Sequence, residues 1–169
     1  IHTSTGYGFQ MQNIGETSNK GIEFVLNGAI IEQPNFSLNA SFNIAFNKNM
    51  VEQLGDEKTL LFNSGWYGNA NGPGDDYIVR EGESLGKIYG YVYDGFYTFD
   101  DFTYDGSAWV LNEDVVDNSA VSGAAFFGPG AIKYKKVADD GSNAIGMEAD
   151  KTIIGDANPI HTGGFNINM

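Results

Sequence analysis

One long stretch of alternating apolar and polar residues, 35–47, constrains this chain more than any other feature. It reads Asn-Phe-Ser-Leu-Asn-Ala-Ser-Phe-Asn-Ile-Ala-Phe-Asn, which puts apolar side chains on one face of a β-strand and small polar ones on the other, with Ala45 as the exception. Strands of soluble proteins commonly have about 5–6 residues, whereas about 9–11 tilted residues cross a bilayer. The pattern therefore favours a strand in the wall of a transmembrane β-barrel, between lipid and water.

The same alternation occurs on both sides of a short turn near residues 32–35. Residues 20–31 alternate less strictly, and Pro34 suits a turn because proline cannot donate to a β-ladder. We expect residues 20–31 and 36–48 to pair antiparallel. Residues 7–31 read either as one long strand or as two. The side chains predicted to face lipid are Phe24, Leu26, Phe36, Leu38, Phe42, Ile44 and Phe46.

Residues 50–161 differ in character from their flanks. This acidic loop region is rich in Gly, Asp, Asn and Tyr and contains 19 acidic against 7 basic residues, whereas the flanks are nearly neutral. Outer-membrane barrels combine short periplasmic turns with long extracellular loops. We therefore predict barrel wall at 1–49, an extracellular region at 50–161 and the truncated start of another wall strand at 162–169. An apolar alternation that stops at Met169 suggests a fragment.

Composition excludes several function classes. A net charge of −13 would repel nucleic acid, and a chain with no cysteine has neither disulfides nor thiolate metal sites. No apolar run is long enough for a membrane helix. Asp75-Asp76 and Asp100-Asp101 are only sequence neighbours, which point to opposite faces in a strand, so we expect no enzyme and no cofactor.

Aromatic residues are the candidate contacts for a substrate or a partner. Their rings could stack on sugars or anchor a protein, and the competing interpretation is that they form the loop region's own core. The candidates are Trp66, Tyr67, Tyr89, Tyr91, Tyr93, Tyr97 and Trp109.

Several segments, taken together, resemble one family. Residues 13–27 contain Asn-Ile-Gly followed by Gly-Ile-Glu-Phe, and residues 42–51 look like the next wall strand and its exit. More distinctive are residues 79–97 (VREGESLGKIYGYVYDGFY), 128–134 (GPGAIKY) and 150–159 (DKTIIGDANP), the last leading to TGGF at 162–165. In this order and spacing they resemble the TonB-dependent outer-membrane transporters, and within them the SusC/RagA-like importers of glycans and peptides.

The resemblance implies a 22-stranded barrel with an N-terminal plug, of which this chain would be a C-terminal-half fragment without transport activity of its own. It implies an outer-membrane location in a Gram-negative bacterium. The implied partners are a SusD-like surface lipoprotein, TonB through an absent N-terminal region, outer-membrane lipid, and oligosaccharide or peptide cargo.

The same resemblance draws attention to the acidic stretch at residues 138–150. The family often has a calcium-like Asp-x-Asn-x-Asp-Gly loop here, but Lys136 and Ala138 stand at the first two ligand positions. Asp140 and Asp150 are the remaining weak metal candidates, whereas Ca²⁺ takes 6–8 oxygen ligands. We therefore expect a solvated acidic turn without metal.

The alternative from another class is a soluble, acidic β-sandwich module that binds carbohydrate. Such a module should show strands spaced about 8–12 residues apart along the whole chain. Two long amphipathic strands followed by a region of more than a hundred residues do not fit that spacing.

Overall fold

The computed structural model describes residues 15–65, 74–122 and 127–169. Strands make up 54% of the structure and helix 5%, which confirms the all-β prediction. The chain divides into two compact units. The first comprises Ile1–Leu60, Val79–Leu85 and Asn158–Met169, and the second comprises Leu61–Ile78 and Gly86–Ala157. Within the described ranges no helix is long and apolar enough to span a membrane.

The first unit is built on three antiparallel strands, which we call the wall sheet. Strand β1 (Glu16–Gln33) pairs with β2 (Phe36–Gln53) across a turn at Pro34-Asn35, so the predicted antiparallel hairpin is confirmed. At 18 residues, each of these strands is about 60 Å long. The last strand of the chain, β11 (Thr162–Asn168), pairs with the other edge of β2 and gives the order β1-β2-β11.

A register shift between Ala29 and Ile31 keeps the apolar face of the wall sheet continuous. Residues directly opposite each other in an antiparallel pair lie on the same face. Before the shift Leu26 lies opposite Phe42, and after it Ile31 lies opposite Leu38. Without the extra residue, Ile31 would point to the opposite face.

Beyond the residues that pair with β11, the same edge of β2 is bonded to residues 82 and 83. The backbone N–H of Val51 donates to Glu83 O at 2.9 Å, and the N–H of Gly82 donates to Val51 O at 2.8 Å. Val51 is fully buried. At the same end, Asn49 Nδ2 donates to Asn158 Oδ1 at 3.0 Å, which joins residues 109 positions apart.

Outside the wall sheet the strands are short. The largest of their sheets has the order β10-β5-β4-β3, and two small ladders pair β6 with β9 and β7 with β8. These strands are β3 (Thr59–Phe62), β4 (Tyr77–Arg80), β5 (Lys87–Tyr91), β6 (Tyr93–Phe96), β7 (Phe102–Tyr104), β8 (Trp109–Leu111), β9 (Ile132–Tyr134) and β10 (Lys151–Asp156). A 3₁₀ turn at Phe99–Asp101 precedes β7, and a short helix α1 (Ser119–Ser122) lies between β8 and β9.

A buried polar contact organises the middle of the second unit. Asn118 is fully buried, and its Nδ2 donates to Ser122 Oγ at 2.6 Å and to Ile132 O at 3.0 Å. The hydroxyl of Tyr97, which is 2% exposed, donates to Asn118 Oδ1 and contacts Val116 O. Burial raises the pKa of Tyr97 to about 12, so the hydroxyl keeps its proton at neutral pH.

Replacing Asn118 should therefore loosen this part of the second unit. We expect Asn118→Ala to lower local stability by about 2–3 kcal/mol, since buried partners lose their hydrogen bonds, and Tyr97→Phe by about 1 kcal/mol, since the ring remains. Hydrogen–deuterium exchange of the amides at residues 116–122 and 130–134 measures the effect. Equal exchange in Asn118→Ala and the unmodified protein would contradict it.

Candidate functional site

A cavity of about 440 Å³ lies in the second unit, walled by tyrosines of β5 and β9. Tyr89 and Tyr91 lie two residues apart on β5 and so share a face. Their hydroxyls donate to backbone oxygens, from Tyr89 to Glu148 O at 3.1 Å and from Tyr91 to Met147 O at 2.7 Å. The ring of Tyr134 stacks on Tyr91 with centroids 5.1 Å apart. The walls are therefore held in place by the segment that precedes β10.

A buried cation forms one side of this cavity. Lys151 Nζ donates to Asp75 O and to Glu148 Oε1, both at 3.0 Å. It also lies 5.7 Å from the ring centroids of both Tyr89 and Tyr91. Burial, followed by the nearby Glu148 carboxylate, raises the pKa of Tyr91 to about 12. The cavity thus offers neutral aromatic surfaces beside a paired ammonium, an arrangement suited to binding rather than to proton transfer.

The other predicted aromatic contacts fall in different environments. Tyr93 is 58% exposed and packs edge-on against Phe96, and Trp109 is 45% exposed on β8. Tyr97 is buried, which favours the competing interpretation that it belongs to the core: its ring packs on Phe102 and its hydroxyl on Asn118. Trp66 and Tyr67 lie outside the described residues.

The weak metal candidates are bound to a lysine of the same chain. Lys136 Nζ donates to Asp150 Oδ2 at 2.9 Å, to Asp140 Oδ2 at 3.0 Å and to Ala144 O at 2.8 Å. Asp150 is fully buried and also accepts the backbone N–H groups of Val137, Ala138 and Gly146 at 2.7–2.8 Å. The positive charge beside the Asp140 and Asp150 carboxylates is therefore the Lys136 ammonium.

Electrostatics keep Asp150 ionised. Its burial would raise the pKa, but the hydrogen bonds from the Ala138 amide, the Lys136 ammonium and the Gly146 amide outweigh burial and hold the pKa well below its ordinary value. The hydrogen bond to Asp150 in turn raises the pKa of Lys136.

On the wall sheet, the side chains predicted to face lipid share one face. The cross-strand pairs Phe24–Ile44 and Leu26–Phe42 lie on it. Phe24, Leu26, Phe36, Phe42 and Phe46 are between 39% and 59% exposed, and Leu38 and Ile44 are half-buried. The opposite face holds pairs such as Asn27–Ser41 and Asn39–Asn168.

Sequence reasoning missed several residues that the fold brings to these surfaces. Lys151 and Tyr134 join the tyrosine cavity, and the apolar wall face also includes Ile22 and Phe165. A signal existed for Phe165, which alternates with Gly164 and Asn166, and for Ile22, which precedes Phe24 by two residues. Nothing in the spacing indicated that Lys151 would lie under two rings of β5.

The bond between Asp150 and Lys136 should contribute to stability. We expect Asp150→Ala to lower the free energy of unfolding by at least about 2 kcal/mol, because three backbone N–H groups and an ammonium lose a buried acceptor. Asp140→Ala, which removes an exposed carboxylate from the same ammonium, is the control and should change little. Denaturant unfolding followed by fluorescence measures both.

The pH dependence has a defined sign. The pKa of Asp150 is lowered in the folded protein, so its contribution is present above the unfolded pKa of about 3.9 and is lost as the pH falls through the lowered folded value. The stability difference between the unmodified protein and Asp150→Ala should therefore be constant near neutral pH and shrink in strong acid. A difference that grows on acidification would contradict the assignment.

The chain has recognisable relatives among known proteins. The chain is 35% identical over 167 residues to TonB-dependent receptor P3 of Formosa agariphila, a match that covers 96% of this chain and 14% of the relative. It is 31% identical over 185 residues to TonB-dependent receptor P39 of the same organism, covering 98% of this chain and 16% of the relative. The chain thus spans about one seventh of the length of these curated relatives.

A solved structure provides the comparison of folds. A chain in the structure of the RagAB peptide transporter superimposes with a TM-score of 0.57 and 16% identity, covering 99% of this chain and 15% of that one. No family model matches. The soluble sandwich module is therefore set aside, and the resemblance seen in the sequence is confirmed: the chain belongs to the TonB-dependent receptors, as a segment with the SusC/RagA-like fold.

Proposed function

We propose that the full-length protein is an outer-membrane importer and that the wall sheet of this chain is part of its transmembrane β-barrel. The main observation in support of this proposal is that the wall sheet has one apolar face and one face of Asn and Ser. Register places Phe165 of β11 beside Phe42 of β2, which in turn lies beside Leu26 of β1. An apolar stripe that continues across all three strands suits contact with lipid.

The dimensions of this stripe support the proposal. On β2 it runs from Phe36 to Phe46, eleven residues, which at a tilt of about 45° span about 26 Å. The apolar band of outer-membrane barrels is about 25 Å tall. Beyond it, Lys48 and Asn49 begin the part of β2 that we place in the outer leaflet and the water above it.

Charge separation supports an outward position for the acidic loop region. With 19 acidic and 7 basic residues, it carries nearly all the net charge of the chain. Long loops on a rigid scaffold are where binding residues collect. We therefore propose that residues 50–161 lie outside the cell and contact cargo or a SusD-like surface lipoprotein, with import driven through TonB by other parts of the receptor.

The cargo is proposed to be an oligosaccharide or a peptide. A peptide is suggested by the RagAB peptide transporter, whose fold the chain shares. A glycan is suggested by the tyrosine cavity, since sugar rings stack on aromatic faces and sugar hydroxyls donate to carboxylates such as Asp76. The Ser64 side chain and amide lower the pKa of Asp76 despite partial burial, so this group is an acceptor at neutral pH.

The barrel assignment is tested by two adjacent substitutions on opposite faces. We expect Phe42→Arg to reduce the amount of folded receptor in the outer membrane severely, because a cation near the middle of the lipid face costs about 2–4 kcal/mol. The matched control is Asn43→Arg, which places the same side chain on the water face. Heat-dependent gel mobility of outer-membrane fractions measures assembly; equal loss in both, or loss only in Asn43→Arg, would reject the orientation.

The cavity is tested by filling it. Ile154 is 51% exposed and lines the cavity, so Ile154→Trp should block it and slow growth on defined oligosaccharides, or on peptides, while the receptor still assembles. Ile160→Trp, at an exposed position outside the cavity, is the control. If cells with Ile154→Trp grow normally on every substrate whose uptake requires the receptor, the cavity does not bind cargo.

A further inference from the structure

The hairpin of β7 and β8 exposes an aromatic cluster that the tyrosine cavity does not include. Phe99, Tyr104 and Trp109 are 64%, 54% and 45% exposed. Trp109 contacts both of the others, with ring centroids 5.1 Å from Phe99 and 5.3 Å from Tyr104. We call these three side chains the hairpin cluster.

Side-chain contacts hold the hairpin at its root and at its tip. At its root Phe102 is buried against Tyr97 and Phe127, with ring centroids 5.5 and 5.8 Å away. At its tip Asp105 Oδ1 accepts the backbone N–H groups of Ser107 and Ala108 at 2.8 and 2.9 Å. Because Tyr104 lies opposite Trp109 in the ladder, both rings leave the same face.

Side chains also fix the flanks of the hairpin. Thr103 Oγ1 donates to Asn112 Oδ1 at 2.8 Å across the ladder, and Asn112 Nδ2 donates to Asp100 O at 2.9 Å. Before the hairpin, Asp101 caps its own 3₁₀ turn by accepting the amide of Thr98 at 2.7 Å. Aromatic side chains that are already held in place lose little conformational entropy when they bind. Tyrosine and tryptophan form strong protein contacts for this reason.

The orientation of the rings favours a protein over a sugar. The planes of Phe99 and Trp109 are inclined by 63°, and those of Tyr104 and Trp109 by 50°. A sugar ring stacks on one flat face, and these inclined rings do not form a common platform. Exposed aromatic side chains in an irregular cluster instead suit insertion into an apolar groove of a protein.

The charges around the hairpin cluster indicate which residues should border that groove on the partner. Residues 99–114 include five carboxylates and no lysine or arginine, and one of the five, Asp101, pairs with Lys133 of β9 at 3.6 Å. The backbone hydrogen bond from Ala108 lowers the pKa of Asp105, and the one from Thr98 lowers the pKa of Asp101, so both are ionised at neutral pH. A complementary partner surface is therefore an apolar groove bordered by lysine or arginine.

From these observations we infer that the hairpin cluster is a protein-docking element, and that its occupant is a lysine- or arginine-rimmed apolar groove on the surface lipoprotein. The inference rests on the proposed pairing of the receptor with such a lipoprotein. It adds which part of the acidic loop region makes the contact and the chemistry of the surface that receives it.

The test uses the full-length receptor, purified in detergent together with the lipoprotein that co-purifies with it. We expect Trp109→Ala to weaken the complex by at least about 10-fold, as truncation of a central aromatic anchor does. Phe99→Ala, which removes a ring without altering either strand of the hairpin, should also weaken it. Hydrogen exchange of residues 102–111 verifies that the hairpin remains folded in both variants.

The matched control is Phe96→Ala, which removes a ring that is 57% exposed on β6 of the same unit and should leave affinity for the lipoprotein unchanged. The combined change of Glu113→Gln and Asp114→Asn should slow association several-fold at low salt and flatten its salt dependence, because rim charges act mainly on the association rate.

The outcomes separate the inference from the proposed function. If the unmodified receptor binds a lipoprotein and both Trp109→Ala and Phe99→Ala bind it equally well, the docking inference is overturned while the proposed function stands. An equal loss in Phe96→Ala would also overturn it. If the two hairpin variants keep lipoprotein binding but lose cargo, the cluster is a cargo contact and the inference is wrong. If the unmodified receptor binds no lipoprotein, both the proposed pairing and the inference fail.

Discussion

The pairing of strand β2 on both edges is the constraint on which the rest of this structure depends. In a membrane, each backbone N–H and C=O group must find a partner within the protein, because no water is available to bind it. On one edge β1 pairs with β2 along its length, and on the other β11 pairs with residues 39–45. Further up, residues 82 and 83 take over this second edge by bonding Val51. The same strand therefore serves the proposed wall and, above it, the base of the acidic loop region.

The second unit is stabilised in a different way, by polar groups that are buried and fully bonded. Its buried apolar side chains are few, and they are accompanied by Asn118, Asp150 and Lys151. In the described part of the chain, every buried side-chain nitrogen and oxygen has a hydrogen-bond partner. Such networks specify one arrangement, because any other would leave a buried charge or amide unsatisfied. This explains how a region rich in Gly, Asp and Asn, with strands of three to six residues, can hold aromatic side chains in defined positions.

The wall was largely predictable from the sequence, and the details of the second unit were not. Alternation at residues 35–47 fixes the faces of β2, and Pro34 fixes the turn, since both signals are local. The bulge between Ala29 and Ile31 escaped prediction because Gly28-Ala29-Ile30-Ile31 has no clear period. Tyr93 and Tyr97 look equivalent in sequence, yet one is exposed and the other buried, because the difference depends on Asn118 and Phe102 from later in the chain. Likewise the partner of Asp150 could not be known before Lys136 was placed beside it.

The hydrogen bond between Asn49 and Asn158 has an evolutionary consequence. It brings together two residues that enclose more than a hundred others, and Asn158 Nδ2 also donates to the backbone oxygen of Leu85. Once the ends of a long segment are joined, the entropic cost of adding residues between them grows only slowly with length. Sequence between these two asparagines can thus drift, lengthen or shorten under selection for new ligands while the strands below keep their register. A lineage could in this way change the proposed binding region without having to refold the wall sheet that carries it.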